Sequence, residues 1–405
     1  MTTAASSTGI TTVTSEPGRS FPLDVPLAQL RRRRSAKWTT FDADVLPLPV
    51  AEMDVRLAPP IAAALAAALQ DSDTGYAGDP ARLFETYAAF AVRRWGWQVS
   101  PQRMAMSADV AQGVVEVMRA TLAPGDGVII CPPVYPPFFE WLTDVGVRVV
   151  EVPLLGPDQD WRLDLGGIET ALRAGARAVL LCHPHNPTGR IHEPHELRRL
   201  ADMAADAGAI VLSDEIHSPL TMPGSSFTPY LTVSDTARAT GFAFVSASKA
   251  WNLAGLKCAQ IIAGGDEHTA VLRRLPTELR YGAGHLGLLA AEAAYAQGEA
   301  WLAQLAGALQ RNLDLLGSLL VEALPQVRWM RPEAGFLAWL DMRNLGLGAD
   351  PSVAILQHGR VALVPGPSFG RAGAGFARLN VGCSPELLRA AVARIAAAVP
   401  GVAAG

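Results

Sequence analysis

Short, fully apolar runs alternate with longer amphipathic segments between about residues 57 and 290. The amphipathic segments, such as 57–70, 81–95, 107–122 and 193–207, predict helices. The apolar runs lack the polar alternation of half-exposed strands, and they lie at 128–131, 147–152, 179–182, 210–213, 242–246 and 260–263. Strands of this kind are buried on both faces, as in a mostly parallel sheet covered by helices. The pattern therefore predicts an α/β fold.

The pattern changes near residue 290. A long amphipathic segment at 290–324 predicts one helix, and strand-like runs follow near 327, at 336–340 and at 378–381, before a closing helix from 385. This mixture is typical of a smaller α+β domain. We predict a mobile Ser/Thr-rich tail at 1–25, an N-terminal segment of the small domain at 26–56, a large domain at 57–290 and a small C-terminal domain at 291–405.

Composition excludes several classes of protein. The 405 residues are 50% hydrophobic and 18% charged, which suits a chain that buries a large core. The net charge of −4 gives no electrostatic footprint for nucleic acid, and the longest apolar stretches are too short to span a membrane. Four widely spaced cysteines predict buried, reduced thiols, so we expect a cytoplasmic protein.

Lysine is scarce in this sequence. The 34 basic residues include only three lysines, Lys37, Lys249 and Lys257. A lysine amine can lose its proton and attack a carbonyl, whereas an arginine side chain cannot. Each remaining lysine is therefore a candidate for amine chemistry.

Polar residues follow three of the predicted strands. Asn186, Asp214 and Lys249 each lie within a few residues of the carboxyl end of a strand-like run. Taken singly, an Asp here is usually a helix cap, an Asn before Pro is usually part of a turn, and a lysine is usually on the surface. Because ligands of parallel α/β sheets bind just past the carboxyl ends of the strands, the three together predict a ligand site.

The residue types at these strand ends suit a pyridoxal phosphate site. The amine of Lys249 could form a Schiff base with an aldehyde. Asp214 could pair with the protonated pyridine nitrogen, and Asn186 could donate a hydrogen bond to the ring hydroxyl. The phosphate would be bound by the amides at a predicted helix start, contributed by Ala108, Asp109 and Val110. Tyr135 would provide an aromatic platform for the ring.

The sequence offers two alternative kinds of site. His183, His185, His192 and His195 lie close together beside Cys182, which admits a zinc site. The Asn-Pro-Thr-Gly turn among them contains Asn186, which is already assigned to the pyridoxal phosphate site. We therefore expect no metal. A dinucleotide site is also disfavoured, because the glycine cluster at 370–375 lacks the G-x-G-x-x-G spacing.

The motifs and their order resemble the pyridoxal-phosphate enzymes of the aspartate-aminotransferase fold, fold type I. The resemblance covers about residues 30–405 and is carried by PHNPTGR (184–190), SDEIH (213–217), SASKAWN (246–252), AGLK (254–257) and ARLN (377–380). Within that fold the chain is most similar to the cystathionine β-lyase (carbon–sulfur β-lyase) branch of the MalY/PatB type. That finer resemblance is carried by Lys37-Trp38, DVLP (44–47), VAEMD (50–54) and PPVYPPF (132–138). Two departures are Pro49, where the branch usually has tryptophan, and Asp109 at the start of the phosphate-binding helix.

The resemblance implies a role for each matched residue. It implies that Lys249 binds the cofactor covalently and moves the Cα proton, and that Arg378 binds the substrate carboxylate. The cofactor residues implied are Ala108, Asp109, Val110, Tyr135, Asn186, Asp214, His217, Ser246 and Lys257. Tyr76 would reach the phosphate of a neighbouring subunit, which implies a homodimer. Asp109 would be unfavourable beside a phosphate unless its side chain caps the helix and points away.

Three functions follow from these expectations. The first is a carbon–sulfur β-lyase that cleaves L-cystathionine or a related cysteine S-conjugate to a thiol, pyruvate and ammonia. The second is an aminotransferase acting on an amino acid and a 2-oxo acid, which shares every step up to the carbanion. The third is a catalytically silent regulator, which the intact set of Lys249, Asp214, Asn186 and Arg378 disfavours. No sequence feature assigns a role to Lys37.

Overall fold

A computed structural model describes residues 22–399. Residues 1–21 of the predicted tail at 1–25 therefore lie outside the described range. The described part of that segment is packed, since Leu23 and Val25 are each only 2% exposed. The bounds predicted for the tail and the two domains stay a prediction. No helix in the described range is long and apolar enough to cross a membrane.

The strands form three sheets. In chain order they are β1 (Leu46–Pro47), β2 (Met104–Ser107), β3 (Gly127–Ile130), β4 (Arg148–Glu151), β5 (Ala176–Cys182), β6 (Ile210–Asp214), β7 (Gly241–Val245), β8 (Ala259–Ala263), β9 (Arg328–Trp329), β10 (Leu337–Asp341), β11 (Val361–Ala362), β12 (Val364–Pro365) and β13 (Phe376–Asn380). A seven-stranded sheet has the order β2-β8-β7-β6-β5-β3-β4, a four-stranded sheet has the order β12-β13-β10-β9, and β1 pairs with β11.

Helices flank these sheets. They are α1 (Leu27–Leu30), α2 (Ala36–Thr39), α3 (Pro59–Gln70), α4 (Ala81–Trp95), α5 (Val110–Thr121), α6 (Pro137–Val145), α7 (Leu165–Arg173), α8 (Pro194–Asp206), α9 (Asp235–Thr240), α10 (Asp266–Leu272), α11 (Thr277–Tyr281), α12 (His285–Gln297), α13 (Glu299–Ala323), α14 (Pro351–Ala354) and α15 (Pro385–Ala397). Proline in the first turn of α3, α6, α8 and α15 suits a helix start, because the first amides of a helix have no partner within it.

The large sheet explains where the site lies. Strands β4, β3, β5, β6 and β7 are parallel, and β8 runs antiparallel to both of its neighbours. Every residue of β3, β7 and β8 is buried, as the absence of polar alternation predicts. The prediction of full burial is wrong for the run at 147–152, because β4 lies at the edge of the sheet and exposes Arg148 and Glu151. Because β5, β6 and β7 are adjacent and parallel, their carboxyl ends meet at one edge. The predicted α/β fold with a mostly parallel sheet is confirmed.

The single helix predicted at 290–324 is wrong in one respect. The segment forms two helices, α12 and α13, which meet at Gly298. The indole nitrogen of Trp251 donates to the Gly298 carbonyl at 3.2 Å. A Cβ at residue 298 would lie 2.5 Å from that nitrogen and 2.5 Å from the Ala294 carbonyl oxygen. The helix therefore breaks where an aromatic side chain packs directly against the backbone.

Candidate active site

A cavity of about 200 Å³ lies at the edge where β5, β6 and β7 end beside the N-terminus of α5. Nearly all of the residues predicted from the sequence line it, namely Ala108, Asp109, Val110, Tyr135, Asn186, Asp214, His217, Ser246, Lys249 and Lys257. Arg378 is bonded to one of these residues, and Tyr76 lies elsewhere on the surface. The cavity thus collects an amine, a carboxylate, an amide and a helix N-terminus around one space.

Asp214 and Lys249 carry the opposite charges of this cavity. Asp214 ends β6, is 4% exposed, and its Oδ1 accepts a hydrogen bond from the Ile216 amide at 3.1 Å. Burial raises the pKa of this carboxyl to about 7, against the lowering effects of the Ile216 amide and the Lys249 charge. Within the described part of the chain, no basic side chain forms an ion pair with Asp214. The carboxylate is therefore available to a positively charged ligand.

Lys249 follows β7, and its amine is poised to act as a base. Its Nζ donates to the Ala51 carbonyl at 3.2 Å. Burial and, to a smaller extent, the nearby Arg378 charge lower the pKa of the amine to about 8, while Asp214 acts in the opposite direction. An amine with a pKa near neutrality is partly unprotonated at neutral pH and can both attack and accept a proton.

Asn186 and Arg378 are joined directly. Arg378 Nη1 donates to Asn186 Oδ1 at 2.9 Å, and Nη2 donates to the Pro49 carbonyl at 2.9 Å. The guanidinium stacks over the Phe369 ring at 5.2 Å, and its Nε is buried without a partner in the described structure. Burial lowers the pKa of Arg378 to about 10, so the group stays cationic at neutral pH. A fixed cation with an unused donor suits a carboxylate ligand.

The start of α5 is the candidate anion site. Asp109 caps this helix, since its Oδ1 accepts from the Gln112 amide at 2.9 Å. The Ala108 amide donates to Gln112 Oε1 at 3.1 Å. The other oxygen of Asp109 lies 2.8 Å from Lys257 Nζ. The side chain therefore caps the helix as the sequence required, but it also pairs with the predicted phosphate-binding lysine.

Three further residues complete the walls of the cavity. Tyr135 packs edge-on against Trp141, with ring centroids 5.9 Å apart. His217 is 6% exposed, and its Nδ1 is buried without a partner among residues 22–399. Burial lowers the pKa of His217 to about 3, and the Lys249 and Arg378 charges act in the same direction, so the ring is neutral. Ser246 Oγ donates to the Cys258 carbonyl at 2.7 Å and accepts from the Ser248 amide at 3.1 Å.

Tyr76 is separated from the other predicted residues. Its side chain is 86% exposed, and its ring meets the ring of Tyr281, which is 58% exposed, at a centroid distance of 6.1 Å. Two neighbouring exposed aromatic rings are unusual for a free surface. The single chain does not bring Tyr76 to the cavity.

Eight of the residues that line the cavity were not predicted as site residues, among them Ala51 and Trp141. Ala51 contributes its carbonyl oxygen, which has no signature in a sequence, although the phrase VAEMD (50–54) already matched the lyase branch. Trp141 lies on α6, a helix that the apolar patterning did not identify. The sequence signal that could have identified Trp141 is its position three residues after the motif PPVYPPF (132–138).

The histidine cluster is structural in character. His183, His185 and His192 are buried, and the rings of His183 and His192 are stacked at 5.6 Å. Burial lowers the pKa of His183 to about 4 and that of His185 to about 3. In the part of the chain that the structure describes, no group of three potential ligands could hold a metal ion. All four cysteines are buried and free, which confirms the expectation of reduced thiols.

Size alone does not identify the site. A larger cavity, of about 600 Å³, is lined by Arg94, Trp95 and the loop at 221–229. It contains none of the residues that the sequence singled out. The smaller cavity is the candidate active site because its walls combine a base, a carboxylate and an anion-binding helix start.

The chain matches known proteins over nearly its whole length. A Mycobacterium leprae protein is 43% identical to it over 94% of this chain and 98% of its own length. The cystathionine beta-lyase of Corynebacterium glutamicum is 35% identical over 91% of this chain and 98% of its own length. Cystalysin from Treponema denticola, whose crystal structure contains a pyridoxal 5′-phosphate cofactor, matches with a TM-score of 0.85 and 25% identity, over 91% of this chain and 96% of its own.

The family model described as aminotransferase class I and II matches residues 44–395, a span that includes every cavity residue named above. The match confirms the family resemblance of the strand-end motifs. The chain belongs to the aminotransferase class I and II family.

Proposed function

We propose that the chain is a pyridoxal 5′-phosphate-dependent carbon–sulfur β-lyase. It releases a thiol, pyruvate and ammonia from L-cystathionine or a related cysteine S-conjugate. The observation that carries the proposal is the cavity in which the Lys249 amine and the unpaired Asp214 carboxylate lie beside the start of α5. The 35% identity to a cystathionine beta-lyase, over 98% of that enzyme, supports the lyase reaction in particular.

The residues of the cavity fit the cofactor. Asp214 is a buried carboxylate without a cationic partner in the described chain, as a protonated pyridine nitrogen requires. The start of α5 and Lys257 offer amide and ammonium donors to a phosphate. Ser246 would join them if its hydroxyl turned from the Cys258 carbonyl to the phosphate. Asn186 and His217 would bind the ring hydroxyl side, and Tyr135 would lie against the ring face. When bound, pyridoxal phosphate withdraws electron density from the Cα atom of an amino acid joined to its aldehyde carbon.

Lys249 is the proposed base. Its amine, with a pKa of about 8, is unprotonated in about one tenth of the molecules at pH 7 and in about half of them at pH 8. The Ala51 carbonyl accepts a hydrogen bond from the free amine and so holds it at one wall of the cavity. Lys249 takes the Cα proton of the substrate, and the Cβ–S bond then breaks with both electrons leaving on sulfur as a thiolate. The unsaturated amine that remains hydrolyses in water to pyruvate and ammonia.

Arg378 is the proposed clamp for the substrate carboxylate. Asn186 and the Pro49 carbonyl hold two of its nitrogens, and the unused Nε–H remains a donor. A clamp that is fixed in advance orients the Cα–H bond without an ordering cost at the moment of reaction. The α-carboxylate is common to all amino-acid substrates, so this contact selects the class of substrate and not its side chain.

Pyruvate release tests the proposed function. Purified protein is loaded with pyridoxal phosphate and supplied with cystathionine, cystine, cysteine and S-alkylcysteines, and pyruvate is measured with lactate dehydrogenase and NADH. We expect turnover with at least one thioether substrate. Absence of pyruvate, together with conversion of the cofactor to its amine form and consumption of a 2-oxo acid, would favour an aminotransferase. Absence of both reactions would favour a regulatory protein.

We also propose that the enzyme is a homodimer in which Tyr76 reaches the cofactor phosphate of the partner subunit. The exposed pair formed by Tyr76 and Tyr281 supports this arrangement, since both rings would be covered by a second copy. Light scattering should give the mass of a dimer. Replacement of Tyr76 by Phe should weaken cofactor binding without changing that mass.

We place the enzyme in the cytoplasm. The four cysteines are all free, as in proteins of a reducing compartment. Fractionation of cells that produce the tagged protein tests this assignment.

A further inference from the structure

Residues 49–54, here called the strap, run along one wall of the cavity. Two of their carbonyl groups bind the two residues to which we assign the proton transfer and the substrate carboxylate. The Ala51 carbonyl accepts from Lys249 Nζ at 3.2 Å, and the Pro49 carbonyl accepts from Arg378 Nη2 at 2.9 Å. A shift of the strap would therefore move both contacts at once.

Side chains from two catalytic segments hold the strap by its backbone. Asn252, three residues after Lys249, accepts from the Met53 amide at 2.7 Å and donates to the Met53 carbonyl at 3.0 Å. Asn380, two residues after Arg378, donates to the carbonyls of Val50 and Glu52, each at 2.7 Å. The strap is thus tied to the segment of the proposed base and to the strand of the proposed clamp.

A buried ion pair fixes the far end of the strap. Lys37 Nζ lies 2.9 Å from Asp54 Oδ2, and the two side chains are 0% and 1% exposed. The same amine donates to the Glu52 carbonyl at 3.1 Å, and the Trp38 indole donates to Asp54 Oδ1 at 3.2 Å. Lys37 therefore binds both a side chain and a carbonyl group of the strap, from helix α2, whose described residues form no hydrogen bond with the base or the clamp.

A fully buried ion pair is weak evidence for a role in stability, because desolvation of both charges offsets much of their attraction. A pair of apolar side chains would often serve the packing equally well. Such a pair does fix one geometry, since the strap can move only if both charges lose their partners. The location of Lys37 and Asp54 at the strap thus favours positioning over bulk stability.

We propose that Lys37 and Asp54 are positioning residues that act through the strap on Lys249 and Arg378. The inference rests on the proposed function for the roles of the base and the clamp. It assigns a role to the one lysine that the sequence left unexplained.

The test begins on the cofactor-free protein, in which the Lys249 amine is free. Because the chain has only three lysines, the acetylation of each can be followed separately. Competitive acetylation across pH, read by peptide mass spectrometry, gives the titration midpoint of Lys249, with Lys257 as the internal reference. Lys37→Met or Asp54→Asn should loosen the strap and admit water, so the midpoint of Lys249 should rise by about one pH unit. The charged and titratable groups that face this amine, Arg378, Asp214, Glu52, Lys257 and His217, are unchanged in both variants.

Two controls separate positioning from stability. Arg162→Met removes the partner of Glu196, which is only 3% exposed, at a 2.8 Å ion pair that includes no residue of the strap. It should lower the melting temperature and leave the Lys249 midpoint unchanged. The double variant Lys37→Met with Asp54→Leu should recover melting temperature without recovering the midpoint, because the contact to the Glu52 carbonyl is still missing.

The loaded enzyme supplies the second measurement. Both single variants should lower kcat/KM for pyruvate release at least tenfold. The acidic limb of the pH profile of kcat, which reports the substrate complex in which the Lys249 amine is free, should shift upward with the Lys249 midpoint. Unchanged acetylation of Lys249 in folded Asp54→Asn would overturn the inference, even if Lys37→Met fails to fold. A wild-type protein that releases no pyruvate would instead overturn the proposed function, while acetylation would still decide the role of the strap.

Discussion

The Lys257 amine lies 2.8 Å from the Asp109 carboxylate, at the start of helix α5. Lys257 is the residue expected to bind the cofactor phosphate. Its ammonium group already forms an ion pair with an acidic side chain of the protein. Both side chains are partly exposed, at 55% and 39%, and such pairs are weak. An incoming phosphate must therefore share Lys257 with Asp109, and the two anions repel each other.

Asp109→Asn should strengthen cofactor binding. The amide oxygen can still cap α5 by accepting from the Gln112 amide, while the negative charge beside the phosphate is removed. We expect the dissociation constant for pyridoxal phosphate, measured by absorbance titration of the apoprotein, to fall roughly two- to tenfold. Asp266→Asn, which breaks the exposed pair with Arg103, is the matched control. Equal or weaker binding in Asp109→Asn would contradict the competition.

Lys257→Arg should retain cofactor affinity within about threefold, because a phosphate needs positive charge here and not a nucleophilic amine. Lys257→Ala should raise the dissociation constant more than about tenfold, since a charge-assisted hydrogen bond is lost. The same titration measures both variants. A large loss of affinity in Lys257→Arg would show that the compact ammonium group itself is required at this position.

Lys249→Ala should abolish both turnover and covalent attachment of the cofactor. Lys249 and Lys257 both line the cavity, but the charge of Lys249 acts on the Asp214 carboxyl, whereas Lys257 pairs with Asp109. The loaded variant should lack the near-violet absorption band of the covalently bound cofactor, which Arg162→Met should keep. A band of normal position and intensity in Lys249→Ala would refute the assignment of the base.

The positions of Asn186, Asp214 and Lys249 could be predicted because they depend on strand order alone. Fully apolar runs predicted parallel strands, and the carboxyl ends of parallel neighbours meet at one edge. The register confirms this reasoning, since Cys182 pairs with Asp214 and Asp214 with Phe244 across β5, β6 and β7.

Other features depend on tertiary contacts that no local pattern encodes. The contact of Lys249 with Ala51 joins residues 198 positions apart through a backbone oxygen, which every residue type possesses. The break at Gly298 follows from the packing of Trp251 against it, while the apolar pattern runs through the break. The burial of Lys37 could not be anticipated, because lysine is almost always exposed unless it is paired, and its partner Asp54 is 17 positions away in the sequence.

Asp214→Asn should stabilise the apoprotein in a pH-dependent manner. Burial raises the pKa of Asp214 from 3.8 to about 7, so between these values the unfolded chain has released a proton that the folded chain retains. This difference favours the unfolded state increasingly as pH rises from about 4 to about 7, and it is constant above that pH. An asparagine removes the effect while its oxygen still accepts from the Ile216 amide.

Melting temperatures of the two apoproteins at pH 5, 6, 7 and 8 test this prediction. The advantage of Asp214→Asn should grow up to about pH 7 and then level off. The loaded variant should lose most of its activity, since the pyridine nitrogen no longer has an anionic partner. A melting-temperature difference that does not vary with pH would show that Asp214 does not titrate in this range.

Arg378→Lys should weaken binding of the substrate carboxylate and so slow the reaction, while cofactor affinity stays nearly unchanged. Lysine keeps the charge but lacks the planar set of donors that binds Asn186, the Pro49 carbonyl and a carboxylate together. We expect kcat/KM for thioether amino acids to fall roughly 10- to 100-fold, as for the loss of one charge-assisted hydrogen bond. The matched comparison is a cysteamine thioether, which has no carboxylate. The slow reaction of this compound can be monitored by the change in cofactor absorbance, and it should proceed at the same rate in the wild-type and variant enzymes. An equal loss of rate with both substrates would mean that Arg378 maintains the structure of the site and does not bind the substrate.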